Sequence, residues 1–335
     1  MSNIYEIAEK VGLSPSTVAR ALSGKGYCSK ESREKVLKAA QEMNYTPTHA
    51  AKTLKNKRTE KILFCIPDIY NPFYFGMIKG ANDIFEKHGY YTLLCYTKHN
   101  IKEELRMIET LREKYGDGMI LVSFNFCETN IKAVNESGMP IVLTNRYDSP
   151  HGNDNFDYVY VDTYKGIQLA TRHLIEQGHD RIAFIGGNIK EQTSLERFKG
   201  WKDEMDRSGM KIDDRQVYVG DYTMDSGYAC AELMMTRSNI PTGIVCANDL
   251  MAIGFIRYCN EHKIRIPDDI SVVGMDNTDL AANISPGLTS IIMRQEEIGR
   301  NAATLLMERI LDGRTYKKTI RLEPQLVVRE SSRKK

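Results

Sequence analysis

Residues 4–22 read IYEIAEKVGLSPSTVARAL, and this stretch decides how the chain begins to fold. Its apolar side chains recur at helical spacing up to Gly12, a residue that permits a tight turn. Ser14 is a good N-cap, and Pro15 follows at the first helical position, where its missing N–H costs nothing. The spacing therefore predicts two short helices joined by a tight turn. A third helix is predicted after Ser29, with an inner face made by Val36, Leu37, Ala40 and Met43.

Two helices joined in this way form a helix-turn-helix, whose second helix enters the major groove of DNA. That helix needs small or polar residues at its N-terminal end, and here these are Ser14, Pro15, Ser16, Thr17 and Arg20. Charge agrees with this interpretation, because residues 1–60 sum to +5 and the other 275 residues sum to −3. A basic module on a slightly acidic body suits nucleic-acid contact at one end. A plain three-helix core is the alternative interpretation.

From residue 61 onward, apolar runs of strand length alternate with helical stretches, which is typical of parallel sheets with right-handed crossovers. The runs are 62–66, 91–95, 118–122, 141–144, 159–161, 182–185, 217–219, 243–246, 270–273 and 289–292. One doubly wound sheet commonly has about five or six strands. The predicted fold is therefore a small all-α helix-turn-helix headpiece plus an α/β body of two doubly wound parallel-sheet subdomains.

Composition and motifs exclude several classes of protein. The chain has 335 residues, 41% of them apolar, and no apolar run approaches the length of a membrane span. The N-terminus lacks a signal-peptide core, and the seven cysteines are scattered, so a cytoplasmic protein with reduced thiols is expected. Dinucleotide, P-loop, nucleophile-elbow and zinc-protease motifs are all missing from the sequence. We therefore expect no enzyme activity, no cofactor and no metal.

The headpiece resembles that of the LacI/GalR family of bacterial transcription regulators. The similarity rests on residues 4–8, 11–14 and 16–22, continues through 44–47, and extends over the body. In the body, residues 247–254 and 274–277 are the most recognisable segments. The resemblance implies a periplasmic-binding-protein-like body that binds a small effector and dimerises.

The resemblance also implies a domain plan and a set of DNA contacts. Residues 1–47 would be the DNA-binding domain and 48–60 a hinge helix with a linker, in which Leu54 wedges into a minor-groove base step. The N-terminal subdomain would comprise 61–161 plus 293–320, and the C-terminal subdomain 162–292 plus 321–330. The implied DNA contacts are Tyr5, Ser14, Pro15, Ser16, Thr17, Arg20, Ser29, Ala51, Lys52, Leu54 and Lys55.

Open α/β sheets bind ligands beyond the carboxyl ends of their strands, so effector-binding side chains should follow strands. The residues expected there, from position and resemblance together, are Phe73, Tyr74, Asn145, Arg197, Tyr222, Asn248 and Asp276. Aromatic faces combined with Asn, Asp and Arg suit a neutral sugar, although a purine would use the same aromatic residues.

These observations predict a DNA-binding transcription regulator, a repressor, that acts as a homodimer on a pseudo-palindromic operator. A sugar or sugar derivative between the two body subdomains would control its affinity for DNA. Three alternatives stay open. The first is a solute-binding protein without a DNA role. The second is a regulator that responds to a nucleobase or nucleoside, and the third is a regulator that responds to a partner protein.

Overall fold

The chain folds as two units, residues 1–59 and 60–335. The computed structural model describes residues 3–24, 26–45, 58–124, 126–147 and 156–333. Most of the predicted hinge segment therefore lies outside the described residues, including Ala51, Lys52, Leu54 and Lys55.

The described residues of the first unit form three helices, α1 (Ile4–Val11), α2 (Pro15–Ser23) and α3 (Lys30–Glu42). Its turns follow the local chemistry of the sequence: Gly12 ends α1 in the left-handed conformation at φ 67°, and the Ser14 side chain accepts a hydrogen bond from the Thr17 N–H. The core is made by Ile7, Ala8, Val18, Ala21, Val36, Ala39 and Ala40. The prediction for α3 was wrong at Leu37, which is 49% exposed. Ala39, two residues further along, lies on the buried face instead, because Ala39, Val36 and Ala40 share one side of the helix.

In the second unit, the first sheet contains β1 (Lys61–Ile66), β2 (Tyr91–Tyr96), β3 (Gly118–Leu121), β4 (Ile141–Leu143), β5 (Asp157–Val161) and β11 (Thr319–Leu322). These six strands are parallel and lie in the order β11-β5-β4-β3-β1-β2. The helices of this subdomain are α4 (Phe73–Lys87), α5 (Ile101–Arg112), α6 (Glu128–Ser137) and α12 (Gln295–Leu311). Strand β1 is buried along nearly its whole length, as expected for a parallel strand covered on both faces.

The second sheet contains β6 (Ile182–Gly186), β7 (Val217–Val219), β8 (Gly243–Cys246), β9 (Ser271–Asp276), β10 (Thr289–Ile292) and β12 (Gln325–Val327). These six strands lie in the order β12-β10-β9-β8-β6-β7, with β12 antiparallel to β10. The helices are α7 (Thr163–Glu176), α8 (Gln192–Arg207), α9 (Met224–Met235), α10 (Asp249–Glu261) and α11 (Asp279–Asn283), with a 3₁₀ turn at Asp214–Gln216.

The chain passes between the two subdomains three times: after β5, after β10, and between β11 and β12. All ten predicted strands are present, but β11 and β12 were not predicted. Strand β11 continues to Leu322 in the first sheet, two residues beyond the expected boundary at 320.

Helix α12 returns to the first subdomain and packs closely on α4. A Cβ atom at Gly80 would lie 2.0 Å from the Glu296 carbonyl oxygen, and one at Gly299 would lie 1.9 Å from the Met77 carbonyl oxygen. Glycine at both positions lets the two backbones touch, and this contact ties the chain segment after β10 to the first subdomain.

Candidate functional site

A cavity of about 510 Å³ lies where the carboxyl ends of both sheets meet. The first subdomain contributes Asp68, Tyr70, Asn71, Phe73, Tyr74, Tyr96, His99 and Phe124 to its lining. The second contributes Asn188, Glu191, Arg197, Gly220, Asp221, Tyr222, Thr223, Asn248 and Asp276. The cavity is therefore a cleft between the subdomains.

The strand orders explain this position. In the first sheet the order reverses between β1 and β3, and in the second sheet it reverses between β6 and β8. Loops that leave neighbouring strands in opposite directions open a crevice at such a reversal. The lining residues follow β1, β2 and β3 in one subdomain and β6, β7, β8 and β9 in the other.

Arg197 is the buried cation of the cleft. Its Nη1 donates a hydrogen bond to the Ala247 carbonyl oxygen at 3.0 Å, and its guanidinium lies over the Tyr222 ring, 5.4 Å from the centroid. Its Nε has no hydrogen-bond partner among the described residues. A buried N–H without an acceptor is unfavourable, so this atom is suited to an acceptor supplied by a ligand.

Tyr222 contacts residues of both subdomains. Its hydroxyl is 2.5 Å from the Ser194 Oγ, and its ring lies 5.6 Å from that of Phe124, which in turn lies 5.6 Å from His99. The backbone at Tyr222 is left-handed, with φ 68°. A Cβ atom at Gly187 would lie 2.5 Å from the Tyr222 ring, so glycine there makes room for the ring.

Asn248 and Asp276 add polar groups at the carboxyl ends of β8 and β9. Asn248 caps α10: its Oδ1 accepts from the Met251 N–H at 3.0 Å, and its Nδ2 donates to the Tyr222 carbonyl oxygen at 2.9 Å. Asp276 is buried, and that burial raises the pKa of its carboxyl well above the usual range. The neighbouring Asp249 raises it further, and Arg197 opposes the rise. The Asp276 side chain is therefore able to donate or accept a proton in a hydrogen bond.

Six of the seven predicted effector residues line this cleft: Phe73, Tyr74, Arg197, Tyr222, Asn248 and Asp276. The seventh, Asn145, does not line this cleft: it lines two smaller cavities and donates from Nδ2 to the Ser123 carbonyl oxygen at 2.7 Å. It follows β4, which lies beyond β3 and away from the reversal point. Sequence reasoning missed residues after β2, β3, β6 and β7, although the rule of strand ends would have found them; they include His99, Phe124, Glu191 and Asp221.

In the first unit, the N-terminal end of α2 presents a polar surface. Ser14, Pro15, Ser16 and Arg20 are exposed. The Ser14 Oγ lies 3.0 Å from the Ser16 Oγ and 2.9 Å from the Thr17 Oγ1. The Arg20 Nη2 donates to the Thr17 Oγ1 at 3.3 Å. Tyr5 on α1 is 70% exposed.

Within the described ranges, no helix is long and apolar enough to cross a membrane. In the same part of the chain, no group of three or more His, Cys, Asp or Glu side chains is arranged to hold a metal ion.

Comparison with known proteins identifies both units. The model for bacterial regulatory proteins of the lacI family matches residues 3–48, and the model for a periplasmic binding protein-like domain matches residues 171–332. The HTH-type transcriptional repressor PurR of Pasteurella multocida (strain Pm70) is 30% identical over 332 residues, which cover 99% of this chain and 98% of that protein.

Two solved structures extend the likeness. The transcriptional regulator CelR in its cellobiose complex has a TM-score of 0.74 and 30% identity, covering 99% of this chain and 100% of that one. The lac repressor dimer, bound to operator and the anti-inducer ONPF, has a TM-score of 0.86 and 24% identity, covering 99% of each chain. The prediction of a regulator rather than an enzyme is confirmed by the relative's name. The chain belongs to the lacI family of bacterial regulatory proteins and is a DNA-binding transcriptional repressor.

Proposed function

We propose that a sugar or sugar derivative in the cleft controls the affinity of this repressor for its operator. The observation that carries this proposal is the lining of the cleft, where aromatic rings from both subdomains face the polar groups of Arg197, Asn248 and Asp276. The CH faces of a sugar stack on rings, and planar side chains bond paired hydroxyls. The ligand in the CelR structure, cellobiose, is of this class.

The proposed effector contacts are the six predicted residues in the cleft together with Phe124 and His99. Phe73 meets Tyr74 edge to face with ring centroids 5.3 Å apart, and the Tyr74 ring is almost completely buried. These two rings form one wall, and Tyr222 with Arg197 forms the other. A ring-shaped ligand between the walls would touch both subdomains.

The proposed contacts to bases and phosphates in the described headpiece are Tyr5, Ser14, Pro15, Ser16, Thr17, Arg20 and Ser29. Serine and threonine hydroxyls reach phosphates or base edges, and Arg20 suits a bidentate contact to guanine. The hinge residues Ala51, Lys52, Leu54 and Lys55 remain a proposal from the sequence. A bacterial operator lies on the chromosome, so we also propose a cytoplasmic location.

We propose that the repressor is a homodimer that pairs through the edges of both sheets. Strand β2 is an edge strand of the first sheet, and it exposes Tyr91, Leu93, Leu94 and Tyr96. At the corresponding edge of the second sheet, Val219 on β7 is 63% exposed. Exposed apolar side chains on edge strands invite association unless another surface covers them. A second copy presents the same edge strands, so two copies can pair about a two-fold axis. A dimer with this symmetry binds a pseudo-palindromic operator.

Effector and operator are coupled in this proposal through the angle between the subdomains. The subdomains join at three chain crossings, after Val161, after Ile292 and after Leu322. A ligand that touches both walls changes the preferred angle and so moves the starts of the two β1 strands in the dimer. The hinge segments before β1 then can or cannot pair in the minor groove. A coupling of about 1–3 kcal/mol is enough for a useful switch.

The test is a thermal-unfolding screen of the full-length chain against sugars, sugar phosphates and nucleosides. A ligand at about 100 times its Kd adds roughly 2.7 kcal/mol of stability, which is easily measured. We expect a sugar to raise the Tm and to change the affinity for a duplex selected from random DNA, as followed by fluorescence anisotropy. A nucleoside as the stabilising compound would replace the sugar proposal, and a screen without any stabilising compound would favour a partner protein as the effector.

A further inference from the structure

The acidic and basic side chains of the cleft are mostly carboxyl groups. Among the described residues that line the cavity, these belong to Asp68, Glu191, Asp221 and Asp276. The same lining contains a single guanidinium, that of Arg197, and no lysine. Burial lowers the pKa of His99, so its ring is neutral near pH 7. Because burial raises the pKa of Asp276 and of Glu191, the negative charge of the cleft is carried chiefly by Asp68 and Asp221, against the single cation of Arg197.

The one cation is already held by contacts within the protein. Burial raises the pKa of both Asp276 and Glu191, and Arg197 opposes the rise in each case, which shows that it lies within electrostatic reach of each carboxyl. One face of its guanidinium is covered by Tyr222, and Nη1 is bonded to the Ala247 carbonyl oxygen. The buried Nε remains without a partner among the described residues, and the Arg197 side chain lines the cavity. This arrangement offers a neutral acceptor one hydrogen bond but offers a phosphate little net positive charge.

Asp68 and Asp221 approach the same part of the cleft from opposite subdomains, because both act on His99. The Asp68 Oδ1 accepts from the Tyr70 N–H at 2.8 Å. The Asp221 Oδ1 accepts from the Thr223 N–H at 3.1 Å and from the Thr223 Oγ1 at 2.5 Å. Burial raises the pKa of Asp221, but hydrogen bonds from Thr223 and Ser226 outweigh burial and lower it. Asp221 is therefore an anion held in a fixed position.

We propose that the cleft selects an uncharged, polyhydroxylated effector and rejects its phosphorylated form, with Asp68 and Asp221 as the residues that determine this specificity. The inference rests on the proposed function and narrows it to one class of ligand. Phosphate sites in proteins use clustered Arg, Lys or backbone N–H groups. Here a phosphate that entered beside His99 would instead meet two carboxylates of fixed position.

The first test compares matched pairs by thermal unfolding and calorimetry on the full-length chain: glucose with glucose 6-phosphate, trehalose with trehalose 6-phosphate, and ribose with ribose 5-phosphate. We expect any sugar that binds to do so at least 100-fold more tightly than its phosphate ester. A phosphate ester that binds as tightly as its parent sugar would overturn the inference while leaving a sugar-type effector in place. Adenosine with AMP is included so that a nucleoside effector, which would overturn the proposed function instead, is recognised separately.

A second test does not depend on the identity of the effector. Inorganic phosphate at constant ionic strength should leave the Tm of the wild-type chain unchanged. In the double variant Asp68→Asn/Asp221→Asn, the side-chain oxygens can still accept the hydrogen bonds from the Tyr70 and Thr223 backbone N–H groups, but both negative charges are removed. We therefore expect inorganic phosphate to raise the Tm of this variant, and we expect the increase to depend on Arg197. The matched control is Asp206→Asn/Asp312→Asn, which removes two exposed carboxylates outside the cleft. The inference would be refuted if phosphate raised the Tm of the wild type and the increase disappeared in Arg197→Ala. It would also be refuted if phosphate raised the Tm of the double variant no more than that of the control.

Discussion

The ring of Phe124 lies 5.6 Å from the ring of Tyr222 at an interplanar angle of 33°, and this contact joins the two subdomains across the cleft. Phe124 follows β3 of the first sheet, and Tyr222 follows β7 of the second. Aromatic pairs of this separation stabilise proteins by about 0.5–1.5 kcal/mol beyond their buried area. The contact therefore helps to hold the two subdomains together on either side of the cleft.

A double-mutant cycle measures this contact. We expect Phe124→Ala and Tyr222→Ala to be non-additive in urea unfolding, with an interaction free energy of about 0.5–1.5 kcal/mol. The control cycle pairs Phe124→Ala with Phe198→Ala, because Phe198 packs on Phe184 and Trp201 and should be additive with Phe124. Equal interaction free energies in the two cycles would show that the Phe124–Tyr222 contact contributes nothing specific.

Removal of the Arg197 guanidinium should separate effector binding from DNA binding. We expect Arg197→Ala to lose at least 100-fold in affinity for the sugar identified in the screen, about 3 kcal/mol, while operator affinity without effector changes little. Arg197→Lys keeps the charge but loses the planar donor group, so it should also lose affinity, by more than about tenfold. Both variants are compared by calorimetry and by fluorescence anisotropy.

The matched control for these variants is Arg181→Ala. Arg181 is partly exposed and donates from Nε to the Ile240 carbonyl oxygen at 3.2 Å, and it does not line the cleft. An Arg197→Ala protein that still responds to the effector would remove Arg197 from the binding site.

Local features of the headpiece were predictable because their causes lie within a few residues of one another. The Ser14 cap, Pro15 at the first turn and the left-handed Gly12 follow from backbone chemistry alone. Leu37 was placed on the buried face because the apolar residues of α3 fit more than one helical face. The small side chain of Ala39 gives little indication that this residue is buried. Tertiary packing decides which of the two is buried.

The cleft was predictable where a family motif marks the residue: Arg197 lies in α8, which follows β6, and Asp276 ends β9. Asn145 shows the limit of that reasoning. Its position after a strand is right, but the order of strands in a sheet is not written in the local sequence. The alternating exposure of β11 and the short length of β12 explain why neither gave a continuous apolar run.

The buried carboxyl of Glu104 predicts a pH dependence of stability. Burial raises its pKa from 4.5 to about 7, although hydrogen bonds from Ser123 and Asn130 oppose the rise. The folded chain therefore binds this proton more tightly than the unfolded chain. The resulting stabilisation is complete below about pH 4.5 and is lost as the pH rises to about 7.

Glu104→Gln tests this expectation, since its amide oxygen can accept both hydrogen bonds without a charge. We expect the variant to be more stable than the wild type at pH 8, by up to about 3 kcal/mol, and nearly equal to it at pH 4.5. Thermal unfolding at both pH values gives the comparison. Glu109→Gln, on the same helix but exposed, is the control. A Glu104→Gln protein that is less stable than the wild type at pH 8 would contradict the assigned shift.

Arg20 should distinguish contacts to bases from contacts to phosphates. Its side chain lies along α2, with Nε donating to the Ser16 carbonyl oxygen and Nη2 to the Thr17 Oγ1, each at 3.3 Å. If it reads a guanine, Arg20→Ala costs about 1–3 kcal/mol on the selected operator and far less on random DNA. Lys35→Ala, which removes an exposed cation paired with Glu31 on α3, serves as the control for loss of charge. Anisotropy titrations on both duplexes at two salt concentrations decide between the roles. An equal loss on the two duplexes, with a smaller salt slope, would assign Arg20 to a phosphate instead of a base.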